Sequence, residues 1–256
     1  MKPNIKETFY TLYKSFYVFL TYVLILQSIY LCSKFILTFT IKIKIFFLFS
    51  FWFSSFMTLW CYIKCLLKNP GTLSHSEITE ENIIECNNKI EMCKKCNLLK
   101  IKRSHHCSAC NKCIIKMDHH CMWINNCVGL YNQKYFILLN FYSLLMCLNC
   151  SFIIIYKIIT CIKIQFNLKR EICVISRMDI FLILLNAICS LIFGMLAFVM
   201  LVDQYCAIRT NTTGVEFLKK EKGEKKSFNE LIIEVFGHSF SYLWFFPIDK
   251  NIKKKP

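Results

Sequence analysis

The chain has 256 residues, 55% of them hydrophobic and 16% aromatic, with a formal net charge of +16. That apolar content exceeds what an ordinary soluble domain of this size carries, so a membrane protein is the first expectation. The excess of Lys and Arg would raise nucleic acid as a partner of a soluble protein, but here the charge lies outside long apolar runs, and no nucleic acid is expected.

A short tail, 1–14, leads into the first of four uncharged stretches, at 15–33, 45–63, 135–156 and 180–202. At about 1.5 Å per residue, each is long enough to cross a bilayer as a helix. A soluble core would need far more chain to wrap four such runs. The first run lacks a small-residue cleavage site, and its loss would leave an odd number of spans, so it reads as retained. The expected order is therefore spans 1 and 2 within 15–63, a polar loop at 64–134, spans 3 and 4 within 135–202, and a tail at 203–256. The two tails and the polar loop hold twenty-four Lys and Arg against eight in the two short connections, which predicts both termini and the loop to be cytosolic.

Where the second span ends, Asn69-Pro70-Gly71 breaks the helix, because Pro removes a donor and Gly permits a turn. Residues 72–92 read as a linker. Asn140, Asn149 and Asn186 are polar groups within the spans, expected to hydrogen-bond between helices.

Seventeen cysteines would fit a disulfide scaffold in a small secreted protein, yet seven lie between 93 and 127, in the loop predicted to face the reducing cytosol. Four of the six histidines share that segment, which points to metal. The other ten cysteines lie mostly in or near spans and read as small hydrophobes. Cys93-x-x-Cys96 is followed by His106-Cys107-x-x-Cys110-x-x-Cys113, then by His120 and Cys127. Two interleaved tetrahedral zinc sites would use all eight. The segment is too short and polar to build an apolar core, so bound ions would supply its folding free energy. Asp118, His119 and Cys121 are left over. An imidazole can take a thiol's proton while a carboxylate orients the ring, so this trio carries the residue types of an activated nucleophile. The other reading of Cys121 is a spare ligand or a buried side chain.

Asp118-His119-His120-Cys121, together with Cys93, Cys96, Arg103, His106, Cys107, Cys110, Cys113, Trp123, Asn126, Cys127, Gly129, Asn132 and Phe136, resembles the DHHC family of protein S-acyltransferases, or palmitoyltransferases. The match is specific over 93–136, and its place between spans 2 and 3 is also the family's. The resemblance implies an all-α polytopic membrane protein of four transmembrane helices, with a small cytosolic two-zinc domain between spans 2 and 3. It implies that the Cys121 thiolate attacks palmitoyl-CoA or a similar long-chain acyl-CoA, and that a cysteine of a membrane-associated substrate protein then takes the acyl group. His119 would be the base, oriented by Asp118. One structural zinc would sit on Cys93, Cys96, His106 and Cys113, the other on Cys107, Cys110, His120 and Cys127. The acyl chain would lie among the spans, where burial stabilises it by roughly 0.8 kcal/mol per methylene. The need for an accessory subunit is left open.

The sequence departs from the family pattern in several places. Met122 and Ile101 stand where prolines are usual, and Asn69 stands where an aspartate is frequent. Asn211 to Glu216 reads NTTGVE and resembles the family's Thr-Thr-x-Glu element, with Gly214 at the second threonine. That threonine's hydroxyl contact would be missing, or supplied by Thr213. Val235-Phe236-Gly237 resembles the family's carboxyl-terminal element, with Asn229 two residues too far upstream.

Residues 217–226 form a charged, solvated run, and the apolar segment 228–246 has two placements, on the cytosolic domain or on the membrane surface. Lys253-Lys254-Lys255-Pro256 has the form of a dilysine retrieval signal, pointing to endoplasmic reticulum or Golgi, with a basic tail on anionic lipid as the other reading. Asn211-Thr212-Thr213 is a glycosylation sequon expected to be cytosolic and unused. Cys61 and Cys65 read as core residues rather than acylated thiols, and His75, His105 and His238 are given no function. The alternative to the enzyme is a membrane-anchored zinc-binding interaction module without catalytic activity.

Overall fold

A computed structural model describes residues 5–74, 78, 85–86, 89–166 and 175–249. Four long helices dominate it: α1 (Ile5–Ile36), α2 (Ile41–Leu67), α3 (Gln133–Phe166) and α4 (Arg177–Thr210). All four are long and apolar enough to cross a membrane, with candidate spans at Ser15–Ile36, Ile41–Leu67, Gln133–Phe166 and Arg177–Thr210. Each runs past the uncharged stretch that announces it. Lys and Arg at span ends keep their heads in polar surroundings while their stems stay in the helix, so a charge does not stop a span. The stop is made by local chemistry. After α2, the Asn69 side-chain oxygen accepts from the Gly71 and Thr72 amides at 2.9 and 2.7 Å, and Gly71 takes φ +109°. Asn thus closes the turn with an amide oxygen and needs no carboxylate. Before α4, Ser176 and Asp179 form a reciprocal cap: Asp179 N donates to Ser176 Oγ at 3.1 Å, and Ser176 N donates to Asp179 Oδ2 at 3.0 Å.

The chain divides into two compact units. One gathers residues 18–59 and 139–201. Its core packs Leu31, Cys32, Phe35, Ile36 and Phe39 with Phe51 of α2 and Met146, Cys150, Ile153 and Ile154 of α3. Polar side chains join the helices inside it, as expected of Asn149 and Asn186. Ser50 Oγ donates to Asn149 Oδ1 at 3.0 Å, and Ser28 Oγ donates to Asn186 Oδ1 at 3.1 Å. Such bonds contribute about 0.6 kcal/mol each. Lys34 pairs with the buried Asp179 at 2.6 Å. Cys161, near the end of α3, is disulfide-bonded, so the reading of every remaining cysteine as a small hydrophobe is corrected here.

The other unit gathers the described part of 1–17 with 60–138 and the described part of 202–256. Among the described residues its cysteine-rich segment forms four two-stranded antiparallel hairpins: β1 (Glu85–Cys86) with β2 (Lys89–Ile90), β3 (Met92–Cys93) with β4 (Leu98–Leu99), β5 (Ser104–Cys107) with β6 (Lys112–Ile115), and β7 (His119–Cys121) with β8 (Asn126–Val128). Two short helices follow α4, namely α5 (Gly214–Leu218) and α6 (Phe228–Phe236). The apolar carboxyl-terminal segment packs within this unit. Leu231 and Val235 of α6 are buried, Glu234 pairs with Lys116 at 2.9 Å, and the Phe236 and Trp244 rings stack at 4.6 Å. Gly237 ends α6 at φ +92°. Residues 253–256, His75 and much of the 72–92 linker lie outside the described residues.

Candidate active site and metal centres

Strand alternation explains why the ligands interleave. Successive side chains of a strand point to opposite faces, and directly paired residues share a face. His106 pairs with Cys113 across β5–β6, and both join Cys93 and Cys96. Cys107, the next residue along β5, points the other way and joins Cys110, His120 and Cys127; His120 and Cys127 are themselves a pair across β7–β8. Asn97 and Asn111 take φ of 55° and 52° at the tight turns after the Cys-x-x-Cys pairs, a conformation Asn tolerates better than most residues.

Within each cluster the ligand atoms lie within 4.8 Å of one another. Cys96 Sγ is 3.1 Å and Cys93 Sγ 3.6 Å from His106 Nδ1, and Cys96 and Cys113 sulfurs are 3.6 Å apart. In the second cluster, His120 Nδ1 lies 3.7, 3.3 and 3.6 Å from the sulfurs of Cys107, Cys110 and Cys127. A tetrahedral zinc with bonds of about 2.0 Å to nitrogen and 2.3 Å to sulfur sets ligand atoms about 3.5–3.8 Å apart. Both three-Cys, one-His sets therefore fit a closed tetrahedral metal site.

The same alternation turns His119 and Cys121 away from the face that His120 shares with Cys127. Cys121 belongs to neither metal cluster and is a free, buried thiol. Its sulfur interacts with the His119 imidazole and raises that ring's basicity, and His119 Nδ1 lies 2.8 Å from Asp118 Oδ2. The three leftover residues of the sequence thus form one connected chain. Phe136 of α3 packs edge-on to the His119 ring at 5.2 Å.

Asp118 is buried and fully engaged. Besides His119, it accepts from Gln204 Nε2 at 2.8 Å on Oδ2 and from the Gly214 amide at 2.7 Å on Oδ1. Burial works against its charge, but the bonds from His119 and the Gly214 amide outweigh it and hold the carboxyl below its ordinary value. Burial likewise opposes charge on His119, and the bonds to Asp118 and Cys121 overcome it, lifting the imidazole to about 9.

The surrounding frame uses many of the positions singled out in the sequence. Asn126 Nδ2 donates to the Cys65 and Lys68 carbonyls at 3.0 and 2.9 Å, capping the end of α2, while its Oδ1 accepts from Cys127 N at 2.9 Å. Tyr62 OH donates to Trp123 O at 2.8 Å. Asn132 bridges the Gly129 amide and the Cys127 carbonyl, at 2.9 and 2.8 Å. Arg103 grips Glu216 through Nε and Nη2 at 2.7 and 2.8 Å, and Asn211 through Nη1 at 2.8 Å. Ile101 fills the small core of Leu73, Cys93 and Cys113.

The NTTGVE segment differs from what its resemblance implies. Thr213 does not replace the absent hydroxyl: its oxygen accepts from the Glu216 amide at 3.4 Å as the cap of α5. The Gly214 backbone amide contacts Asp118 instead. A Cβ on Gly214 would lie 3.2 Å from Asp118 O, so the close approach favours the smallest residue. Asn211 is buried and engaged by Arg103, which closes the sequon to modification. Cys61 and Cys65 are fully buried, as a core reading requires. His105 contacts Lys219 at 3.1 Å, and His238 donates to Ser239 O at 2.7 Å, both outside the trio. Sequence reading missed Gln204, Gln133 and the Gly214 amide. The one available signal was an amide side chain at the polar end of the fourth apolar run.

Residues 86–221 match the DHHC palmitoyltransferase family. The chain is 36% identical over 201 residues to palmitoyltransferase ZDHHC3 of Rattus norvegicus and 32% identical over 201 residues to that of Homo sapiens, covering 75% of this chain and 66% of each relative. It is 31% identical over 194 residues to palmitoyltransferase ZDHHC7 of Rattus norvegicus, covering 73% of this chain and 62% of that one. The chain thus spans somewhat under two thirds of these relatives' length. With more than half of its residues inside the family match, and the leftover Asp-His-Cys trio outside both Cys/His clusters, the chain belongs to the DHHC palmitoyltransferase family.

Proposed function

We propose that the chain is a protein S-acyltransferase that carries a long-chain fatty acyl group from acyl-CoA to cysteines of membrane-associated proteins through a thioester on Cys121. The single observation that carries this reading is the placement of Cys121: two residues from the His119 that Asp118 engages, interacting with that imidazole, and outside both metal clusters. In the first step, His119 Nε2 takes the Cys121 proton, since Nδ1 is engaged by Asp118. The thiolate attacks the acyl-CoA carbonyl carbon, the bond to the CoA sulfur breaks, and the leaving CoA thiolate takes the proton from the imidazolium. In the second step, the substrate cysteine gives its proton to His119 and attacks the Cys121 thioester. The acyl group moves to the substrate sulfur and Cys121 leaves as thiolate.

Cys93, Cys96, His106 and Cys113 would hold one zinc ion, and Cys107, Cys110, His120 and Cys127 the other. The ions would neutralise thiolate charge and tie together hairpins with little apolar core of their own. The cysteine-rich domain and both termini are assigned to the cytosol. A disulfide at Cys161 supports this reading, because disulfides persist in oxidising compartments whereas the Cys/His clusters need reduced thiols.

The test is labelling with a palmitoyl-CoA analogue followed by hydroxylamine. Wild type is expected to carry hydroxylamine-sensitive label, and Cys121→Ser to carry none while keeping its zinc. An unlabelled wild type would favour a zinc-binding interaction module.

A further inference from the structure

We propose that Gln204 is a positioning residue for acyl transfer and that Gln133 orients it, the pair holding the Asp118 carboxylate against His119; the proposal rests on the transferase reading above. Gln204 is 1% exposed, Gln133 6% and Asp118 3%. A buried amide is costly unless both of its polar ends are bonded. Those of Gln204 are. Its Nε2 donates to Asp118 Oδ2 at 2.8 Å, and its Oε1 accepts from Gln133 Nε2 at 3.1 Å.

This arrangement has a direction. A glutamine amide turned the other way would set Oε1 against the ionised carboxylate and its NH2 against that of Gln133, two repulsions in place of two bonds. The acceptor-only carboxylate and the Gln133 donor together fix which end of Gln204 meets Asp118.

The carboxylate is then held at both oxygens, Oδ1 by the Gly214 amide and Oδ2 by Gln204. Rotation of an aspartate about its terminal torsion is otherwise loosely restrained. Two fixed donors set the plane of the group, and His119 Nδ1 follows that plane. The hydrogen bonds of Gln204 go to Asp118 and Gln133, so it acts through Asp118. The effect expected is on the rate of the chemical step, since misplacement of catalytic groups by an ångström costs up to about a hundredfold.

The test uses the full-length protein in lipid nanodiscs, with palmitoyl-CoA as donor and a cysteine-containing peptide as acceptor. Gln204→Met, which keeps length and loses the amide, is expected to lower kcat by about tenfold to a hundredfold, with KM for palmitoyl-CoA within about twofold and two zinc ions retained. Gln133→Met lowers kcat less. The double variant is no slower than Gln204→Met alone, as expected if Gln133 acts only through Gln204. Should Gln204→Met fail to fold, Gln204→Glu serves. It keeps shape and the bond from Gln133, and once its carboxyl ionises it faces Asp118 with a second carboxylate oxygen, so a rate loss that grows as pH rises is expected.

A labelled wild type with Gln204→Met turning over at the same rate overturns the positioning role and leaves the transferase reading intact. Loss of zinc in step with kcat, or additive losses in the double variant, overturns it in favour of a structural role. An unlabelled wild type overturns the transferase reading, and this proposal with it.

Discussion

His119 and His120 are adjacent, and one strand position separates their chemistry. His120 faces Cys127 and the metal cluster, while His119 faces Asp118 and the Cys121 sulfur. Removing each should therefore fail differently. His119→Ala is expected to keep two zinc ions and to slow acyl transfer by about 10²–10⁴-fold, whereas His120→Ala loses one ion and loosens its hairpins. Metal content and labelling rate on the same samples check both outcomes; zinc loss in His119→Ala would reverse the assignment. The residue types at 118–121 were legible in the sequence because thiol, imidazole and carboxylate side chains announce themselves. Gly214 was not, since its contribution is a backbone amide that no side-chain pattern displays. The structure turns an apparent defect, the missing threonine hydroxyl, into a direct donor to Asp118.

At the scale of elements, spans and hairpins differ in how they are written into the chain. A span is a long compositional signal, so all four were legible to within a few turns, while their ends depended on caps such as Asn69 and Ser176. The hairpin strands are two to four residues long, too short for an alternating pattern. Their order comes from the ligand sets and from tethers such as Asn126. Asn126→Leu strands the α2 carbonyls it caps and is expected to cost about 1–3 kcal/mol, read as a lower unfolding midpoint with both metals still bound at neutral pH. The Arg103–Glu216 pair anchors α5 in the same way. Burial opposes charge on Glu216, and the bonds from Arg103 and the Thr213 amide outweigh it, depressing the carboxyl from its ordinary 4.5. A depressed acid stabilises the fold above its ordinary value and ceases to do so as pH falls through the depressed one. The stability gap between wild type and Glu216→Gln should be full at pH 7 and shrink below pH 4.5. A gap independent of pH would mean that the pair contributes shape rather than charge.

For the whole molecule, the count of Lys and Arg leads to the expectation that both tails and the 64–134 loop face the cytosol. The distribution of thiols gives an independent criterion. The Cys/His clusters need reduced sulfurs, whereas Cys161 is oxidised. In sealed microsomes, a carboxyl-terminal tag should be cut by added protease, and Cys161 should resist alkylation until reductant is added. A protected tag would invert the topology. The relation between distant parts was the least legible feature, because the donors to Asp118 come from residues 204 and 214, far along the chain. The most direct test of a metal-braced, metal-free thiol that carries the acyl group is peptide mapping of the zinc-loaded protein after a single turnover with palmitoyl-CoA. The predicted result is one thioester, on Cys121, with two zinc ions still bound; a Cys121 found ligating metal, or bare while another cysteine carries the acyl group, would contradict it.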